Sequence, residues 1–452
     1  MSGQMSLARR LLISACAATR TTELAARRLG AAYFLPALFV LRYAHMGGLD
    51  RDAFAGQLAG ARSFTDERWC AYWDAIAEEH MAAAADALSE LGGPSPSALH
   101  TLLDGDDPGT VDGLRDLVAP VAWMLGDHGP QSSRTAIERI VHEHAGESGA
   151  TTGQLVGAAV AVDELVKAIT YLQVSAFPGG RPCRMRAYHR SRRLFDALID
   201  ALEPGLGITV ERIRVPIDGD VVEGYATFPV GPDHCATVLI TNGLEGTVQE
   251  LMIPNLRYRD SGLGAVMIEM PGSYAYKQPM STASEAIYHQ VIEHVAAHPR
   301  VDASRIGFVG TSFGGYWAAR MAATSTKLRC AVACGAPTDH SFGPSLGTPE
   351  IILQALADVT GASGPLDLSR KLHSLSLRDM YGQITIPLLV INGDTDTLLS
   401  TQDSIDLAHG ARNSTLRLYP NDDHCAMGHY REWLDLSQQW LRDQLASVET
   451  PA

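Results

Sequence analysis

Ile306-Gly-Phe-Val-Gly-Thr-Ser-Phe-Gly-Gly315 carries an apolar, strand-like run into a serine set between glycines, and the helix former Tyr316-Trp-Ala-Ala-Arg-Met-Ala-Ala323 follows at once. Such a strand–turn–helix forms a nucleophile elbow. The serine occupies a strained turn, and Gly310 and Gly314 stand where a Cβ would strike the neighbouring strand and helix. Ser312 is therefore the predicted nucleophile. In a chain with 42 glycines the bare pattern also arises by chance, so its weight comes from the strand before it and the helix after it.

Around the elbow, short apolar runs take turns with amphipathic stretches. The runs are 236–241, 264–269, 305–309, 328–333, 387–392 and 415–419, and 283–298 is one of the helical stretches between them. Apolar strands joined by helices predict a mainly parallel, doubly wound sheet covered on both faces. Before them, 208–217 and 221–229 alternate with period two, as an antiparallel pair with one wet face does. From Leu7 to about Pro204 the pattern is helical, broken at Gly47-Gly48, Gly92 to Pro96, Gly126 to Gly129 and Pro178 to Gly180. The expected organisation is an all-α N-terminal cap domain over 1–205 and an α/β catalytic domain over 206–452. A Gly- and Pro-containing insertion at 339–379 is placed to act as a lid.

A chain of 452 residues exceeds the usual size of a single core. Its formal charge of −15, with no dense Lys/Arg cluster, argues against a nucleic-acid partner. The 7 cysteines are scattered without a C-x-x-C pair, which predicts free thiols, no zinc site and a cytoplasmic protein. Arg9-Arg10 and the apolar run after it resemble a secretory signal, but Arg20 and Glu23 cut the run short. The run Ala31 to Leu41 is too short to span a bilayer. Both are expected to be helices packed in a core, with no membrane contact. His142 and His144 read as helix surface, so no metal site is expected.

A serine hydroxyl needs a histidine to take its proton and a carboxylate to fix that histidine's tautomer. In a doubly wound sheet they arrive in the order serine, acid, histidine, each past a strand end. Gly393-Asp-Thr-Asp-Thr-Leu398 and Pro420-Asn-Asp-Asp-His-Cys-Ala426 supply both. Asp396 is the predicted acid, with Asp394 as the alternative or, otherwise, a turn cap. His424 is the predicted base, with His429 opening the last helix. Asp422 and Asp423 are read as turn and solvent-facing residues, and Cys425 as a small buried filler. For the oxyanion, one amide is expected from Phe313 and the other from Leu244, or failing that Gly243, in the loop Thr241-Asn-Gly-Leu-Glu-Gly246. Glu245 beside an anion site is either tied into a structural hydrogen bond or protonated and functional.

Gly243-Leu-Glu-Gly-Thr-Val-Gln-Glu250, Glu269-Met-Pro-Gly272 and the elbow together resemble the α/β-hydrolases that carry a helical N-terminal domain. This group includes the fermentation-respiration-switch-like esterases, 2,6-dihydroxypseudooxynicotine hydrolase and polyketide-shortening hydrolases. The similarity reaches the helical half through Trp69 to His80 and Arg186 to Pro204. It implies cleavage of an ester, or of a carbon–carbon bond beside a carbonyl, by a triad that falls here on Ser312, Asp396 and His424. In one place the chain departs from the group, since the usual Asp-Gly-Pro-Gly-Gln-Gly turn is here Glu269-Met-Pro-Gly-Ser-Tyr274. Met270 and Tyr274 are expected to reshape the pocket mouth.

The expected protein is a serine hydrolase of a small aromatic or polyketide-like substrate, working through an acyl-enzyme without metal or organic cofactor. Glu245, Gly243, Tyr274, Tyr171 and Phe177 are candidate substrate contacts. The same triad would also serve an acyltransferase or cyclase of secondary metabolism. A third reading, a silent hydrolase fold acting as an interaction partner, sits badly with three intact residues. The resemblance and the apolar helical half leave room for a homodimer.

Overall fold

A computed structural model of the chain describes residues 6–128, 133–144, 150–274, 276–343 and 346–446. The predicted break at Gly126 to Gly129 thus ends outside the described residues, as do positions 344 and 345 of the expected lid.

Its centre is an eight-stranded sheet of strands β1 (Ile208–Ile217), β2 (Asp220–Pro229), β3 (Cys235–Thr241), β4 (Gly264–Ile268), β5 (Val301–Thr311), β6 (Leu328–Cys334), β7 (Leu388–Gly393) and β8 (Ser414–Tyr419). The spatial order is β1-β2-β4-β3-β5-β6-β7-β8. From β4 to β8 neighbours are parallel, while β2 runs antiparallel to both β1 and β4. Every residue of β3 and β4 is buried, as strands covered on both faces must be. Side chains alternate between two cores. Val238 and Ile240 join one with Trp433 and the helical half, and Leu239 joins the other with Val291 and Trp317. One face of the sheet is thus roofed by the N-terminal helices. β5 begins earlier than its apolar run, because Val301 already pairs with Cys235.

Two long helices anchor the helical half, Asp66–Ser89 and Thr152–Ala176, the second opened by a Thr151–Gln154 capping box. Trp69 and Trp73 are buried between them and their neighbours, and Trp69 Nε1 donates to Val174 O at 2.9 Å. The helix Pro182–Leu206 runs through Pro204 and stops only at Gly207, whose φ is 69°. A proline in a last turn lacks one amide and need not break what precedes it.

The N-terminal expectation needs correcting. Helix Leu7–Thr19 buries only Ile13 and Cys16, and Leu7 and Leu11 stay 65% and 52% exposed. Only that narrow face joins a small core with Ala26 and Phe34, and the helix also lies across the 339–379 segment, where Arg10 donates to Leu346 O and Gly347 N donates to Ser14 Oγ. That segment forms the helices Glu350–Thr360 and Pro365–His373. Its base is held by the buried carboxylate of Asp403, which accepts from the amides of Thr338, Asp339, His340 and Ser341. Among the described residues no helix is long and apolar enough to cross a membrane.

Candidate active site

β5 ends in Thr311 and the next helix starts at Phe313, so Ser312 alone makes the turn, at φ 57° and ψ −124°. Holding a non-glycine residue there costs about 1–3 kcal/mol, which the packing around it must supply. The flanking glycines allow it. A Cβ on Gly310 would sit 1.8 Å from Gly314 O, and one on Gly314 would sit 2.4 Å from Thr241 O. Both clashes are with backbone, which cannot swing aside. Gly310→Ala is accordingly expected to cost about 3 kcal/mol or more in urea unfolding, at the upper end of overpacking penalties. Stability equal to the parent would refute this account of the turn.

His424 Nε2 lies 2.9 Å from Ser312 Oγ, and its Nδ1 lies 2.8 Å from Asp396 Oδ2. The carboxylate is fully buried and surrounded by donors. Asn392 Nδ2 reaches Oδ2, and the amides of Leu398 and Leu399 reach Oδ1 at 3.0 and 2.7 Å. Burial alone would raise its pKa, but the His424 charge and these hydrogen bonds lower it, so Asp396 stays ionised. For His424 burial opposes the charged ring, and the neighbouring Cys425 and the Asp396 carboxylate together more than offset this, raising its pKa. The adjacent Cys425 thiol is itself pushed up by burial and stays neutral. Asp394 is exposed and accepts from Asn421 N at 2.7 Å, a turn cap remote from the imidazole.

The histidine loop is pinned by residues whose sequence reading was too bland. Asp422 is buried, not solvent-facing, and takes the amides of Asp423, Gly428 and His429 as well as His429 Nδ1. Asp423 holds Thr397 and the His424 amide, tying the loop to the one that carries Asp396. Their polarity had suggested solvent, but backbone donors converging from a tight turn give a buried carboxylate the same satisfaction water would.

Gly243 packs directly on the nucleophile. A Cβ there would be 2.6 Å from Ser312 Cβ. Leu244, which follows it, lines the same cavity as Ser312 and Phe313, and among the described residues neither the Leu244 nor the Phe313 amide finds an acceptor. Asn242 Nδ2 donates to Thr247 O at 2.7 Å and Gly246 N to Gly243 O at 3.1 Å, fixing the loop's shape.

Glu245, at φ 55°, turns away from the cavity, and its Oε2 accepts from Gly179 N at 2.8 Å. Burial pushes its pKa up to about 7, with the Gly179 hydrogen bond and Arg42 working the other way. Tyr274 stacks on Tyr188 with centroids 4.4 Å apart and donates to Glu245 O at 3.1 Å. It braces the loop from behind, and neither it nor Met270 lines the cavity, so the expected reshaping of the mouth does not come from their side chains. Tyr171 also lies elsewhere, in the helical core, donating to Gln57 Oε1 and stacked on His80. Phe177, Gly243 and Leu244 do line it.

The cavity above Ser312 measures about 1090 Å³ and is mainly apolar. Its walls come from the helical half (Leu38, Phe39, Phe177), the 242–246 loop (Gly243, Leu244), and the 339–379 segment (Phe342, Leu356, Leu368). Arg42, unnoticed in the sequence because it sits within an apolar helix, Leu38–His45, also lines it. Arg42 forks onto Glu250 with two 2.8 Å bonds and donates to Glu245 O at 2.7 Å. The helical half is thereby clamped to the 242–246 loop.

Sheet order, elbow and the serine–histidine–aspartate alignment define an α/β-hydrolase with a helical region before its sheet. A family model for FrsA-like esterases matches residues 154–446, and the chain belongs to that family. 2,6-Dihydropseudooxynicotine hydrolase of Paenarthrobacter nicotinovorans is 25% identical over 271 residues, 58% of this chain and 71% of that one. Esterase FrsA of Vibrio cholerae serotype O1 is 25% identical over 299 residues, 63% and 71% of the two chains. The solved 2,6-dihydroxy-pseudo-oxynicotine hydrolase superposes with a TM-score of 0.57 at 20% identity, covering 81% of this chain and 97% of that one. AbyA5 superposes with a TM-score of 0.55 at 21% identity, covering 75% and 94%. At such identities the likeness speaks for the fold.

Proposed function

We propose that this α/β-hydrolase cleaves an ester, or a carbon–carbon bond beside a carbonyl, in a small aromatic or polyketide-like molecule through an acyl-enzyme on Ser312. The observation that carries the reading is the continuous hydrogen-bonded line from Ser312 Oγ through His424 to Asp396. His424 Nε2 takes the serine proton as Oγ attacks the carbonyl carbon, and Asp396 steadies the imidazolium that forms. The Phe313 and Leu244 amides receive the oxyanion. His424 then returns its proton to the leaving group, to oxygen in an ester or to carbon in an enolate-like fragment. Water, activated by the same nitrogen, releases the acid. This scheme uses no metal or organic cofactor, and its partner is the small molecule in the cavity, whose size suits a ligand of drug dimensions or larger.

A fluorophosphonate probe tests it, because such probes need an activated serine. One label per chain on the peptide containing Ser312 is expected. Labelling elsewhere, or none in protein that hydrolyses esters, would refute the assignment. Turnover in heavy-oxygen water separates hydrolysis from transfer or cyclisation, since only hydrolysis puts solvent oxygen into the released acid.

A further inference from the structure

Arg42 makes more bonds than a cavity wall requires, yet leaves one edge unused. Its Nε and Nη2 are consumed by Glu250 and by Glu245 O, while Nη1 has no acceptor among the described residues. The side chain keeps 16% exposure, and the surface it lines is the cavity. Glu245 follows Leu244 directly, so the guanidinium is held just beyond the proposed oxyanion amide. Its head is pre-aimed, because the fork onto Glu250 removes the rotamer freedom an arginine otherwise loses on binding.

The charge of the wall narrows what that edge can accept. Besides His424, the charged lining residues are Arg20 and Arg42 against Glu250 and Glu350, two cations and two anions. Arg42 is already neutralised by a carboxylate 1% exposed, so a second carboxylate at Nη1 would leave net negative charge in a mostly apolar enclosure. An uncharged carbonyl or hydroxyl oxygen meets the free N–H groups without that penalty.

We propose that Arg42 is the specificity-determining residue of this cavity, its free Nη1 edge donating to a second, uncharged oxygen on the acyl side of the substrate, near the cleaved carbonyl. The preferred substrates are then neutral acyl compounds of the 3-oxo or 3-hydroxy type, and acyl chains ending in a carboxylate are rejected. This rests on the acyl-enzyme reading above.

The test compares kcat and KM for phenyl 3-oxooctanoate, phenyl octanoate and the phenyl half-ester of suberic acid. With the parent protein, kcat/KM is expected to favour the 3-oxo ester over the plain ester by about tenfold or more, mostly through KM, as one well-placed charged hydrogen bond can. The half-ester should fall below both. Arg42→Lys, which can satisfy Glu250 and Glu245 O but has no third edge, should bring the 3-oxo preference close to one. The double change Arg42→Met with Glu250→Gln, which leaves no buried lone charge, should do the same. Fluorophosphonate labelling of Ser312 in each variant shows that the site is still folded. A parent that labels but shows no 3-oxo preference, or hydrolyses none of the three esters, overturns the proposal. So does a variant that labels and keeps the preference. A parent that fails to label at Ser312 overturns the acyl-enzyme reading instead.

Discussion

Ser312→Ala is expected to lower turnover by about a million-fold, the scale on which loss of a triad nucleophile acts. The alanine removes the one hydroxyl that, among the described residues, is hydrogen-bonded to His424 Nε2. Cys425 borders the cavity, but its thiol is pushed up by burial and is neutral, so it is a poor substitute. The folded state should be little changed, because alanine inherits the same positive φ and the same packing. Ser312→Gly offers a contrast on a second axis. It should be as inactive, yet gain about 1 kcal/mol in unfolding free energy, since glycine tolerates φ 57° without strain. Residual turnover within a hundredfold of the parent, measured on protein purified free of contaminating esterases, would exclude Ser312 as the nucleophile.

Asp396→Asn should cost about ten-thousand-fold in kcat, although it changes a single atom. Every direction around the carboxylate is occupied by a donor: His424 Nδ1 and Asn392 Nδ2 on one oxygen, the Leu398 and Leu399 amides on the other. An amide has only one acceptor oxygen, so its NH2 must face donors whichever way it turns. If the oxygen keeps the backbone amides, the NH2 meets His424 and drives the imidazole proton onto Nε2, where it can no longer accept from serine. The pH profile should move as well. The neutral imidazole is the active base, so kcat/KM rises with pH as His424 loses its proton. Cys425 and Asp396 raise that pKa against the opposing effect of burial, so the parent's acid limb should lie above the usual histidine value of about 6.5. With asparagine, the Asp396 contribution is lost while burial remains, and the limb should shift to lower pH. A limb that stays in place would mean that Asp396 does not set the charge of His424. Asp394→Asn, by comparison, touches only a turn capped on Asn421 and should leave the profile unchanged.

The strands were legible because period and burial agree. β3 and, past the exposed Arg329, β6 are buried along their length because both their faces are covered. β1 alternates because it leaves one side wet, whereas β2 is buried throughout Gly224 to Phe228, so its expected wet face holds only over its first half. The elbow was legible because its glycines answer steric demands made by the next strand and by their own helix. The carboxylates after the last strands were harder. Asp394, Asp396, Asp422 and Asp423 all sit in polar turns, and local sequence does not distinguish a carboxylate that caps its own turn from one that reaches across to another loop. Arg42 was invisible for a related reason. Its importance lies in Glu250 and in the Glu245 carbonyl, more than 200 positions away.

What the chain alone determined, then, is the doubly wound sheet, the helical half before it, the serine on its strained turn and the order in which acid and histidine follow. All of these are governed by neighbours within a few residues, through periodicity, turn chemistry and backbone sterics. Only the tertiary structure decided which aspartate meets His424, that Glu245 and Tyr274 brace the 242–246 loop instead of lining the cavity, and that helix Leu7–Thr19 lies across the 339–379 segment with its leucines exposed. Those outcomes depend on which buried donors and acceptors find each other across the fold, a matching that satisfies polar groups out of water and leaves no periodic trace in the sequence.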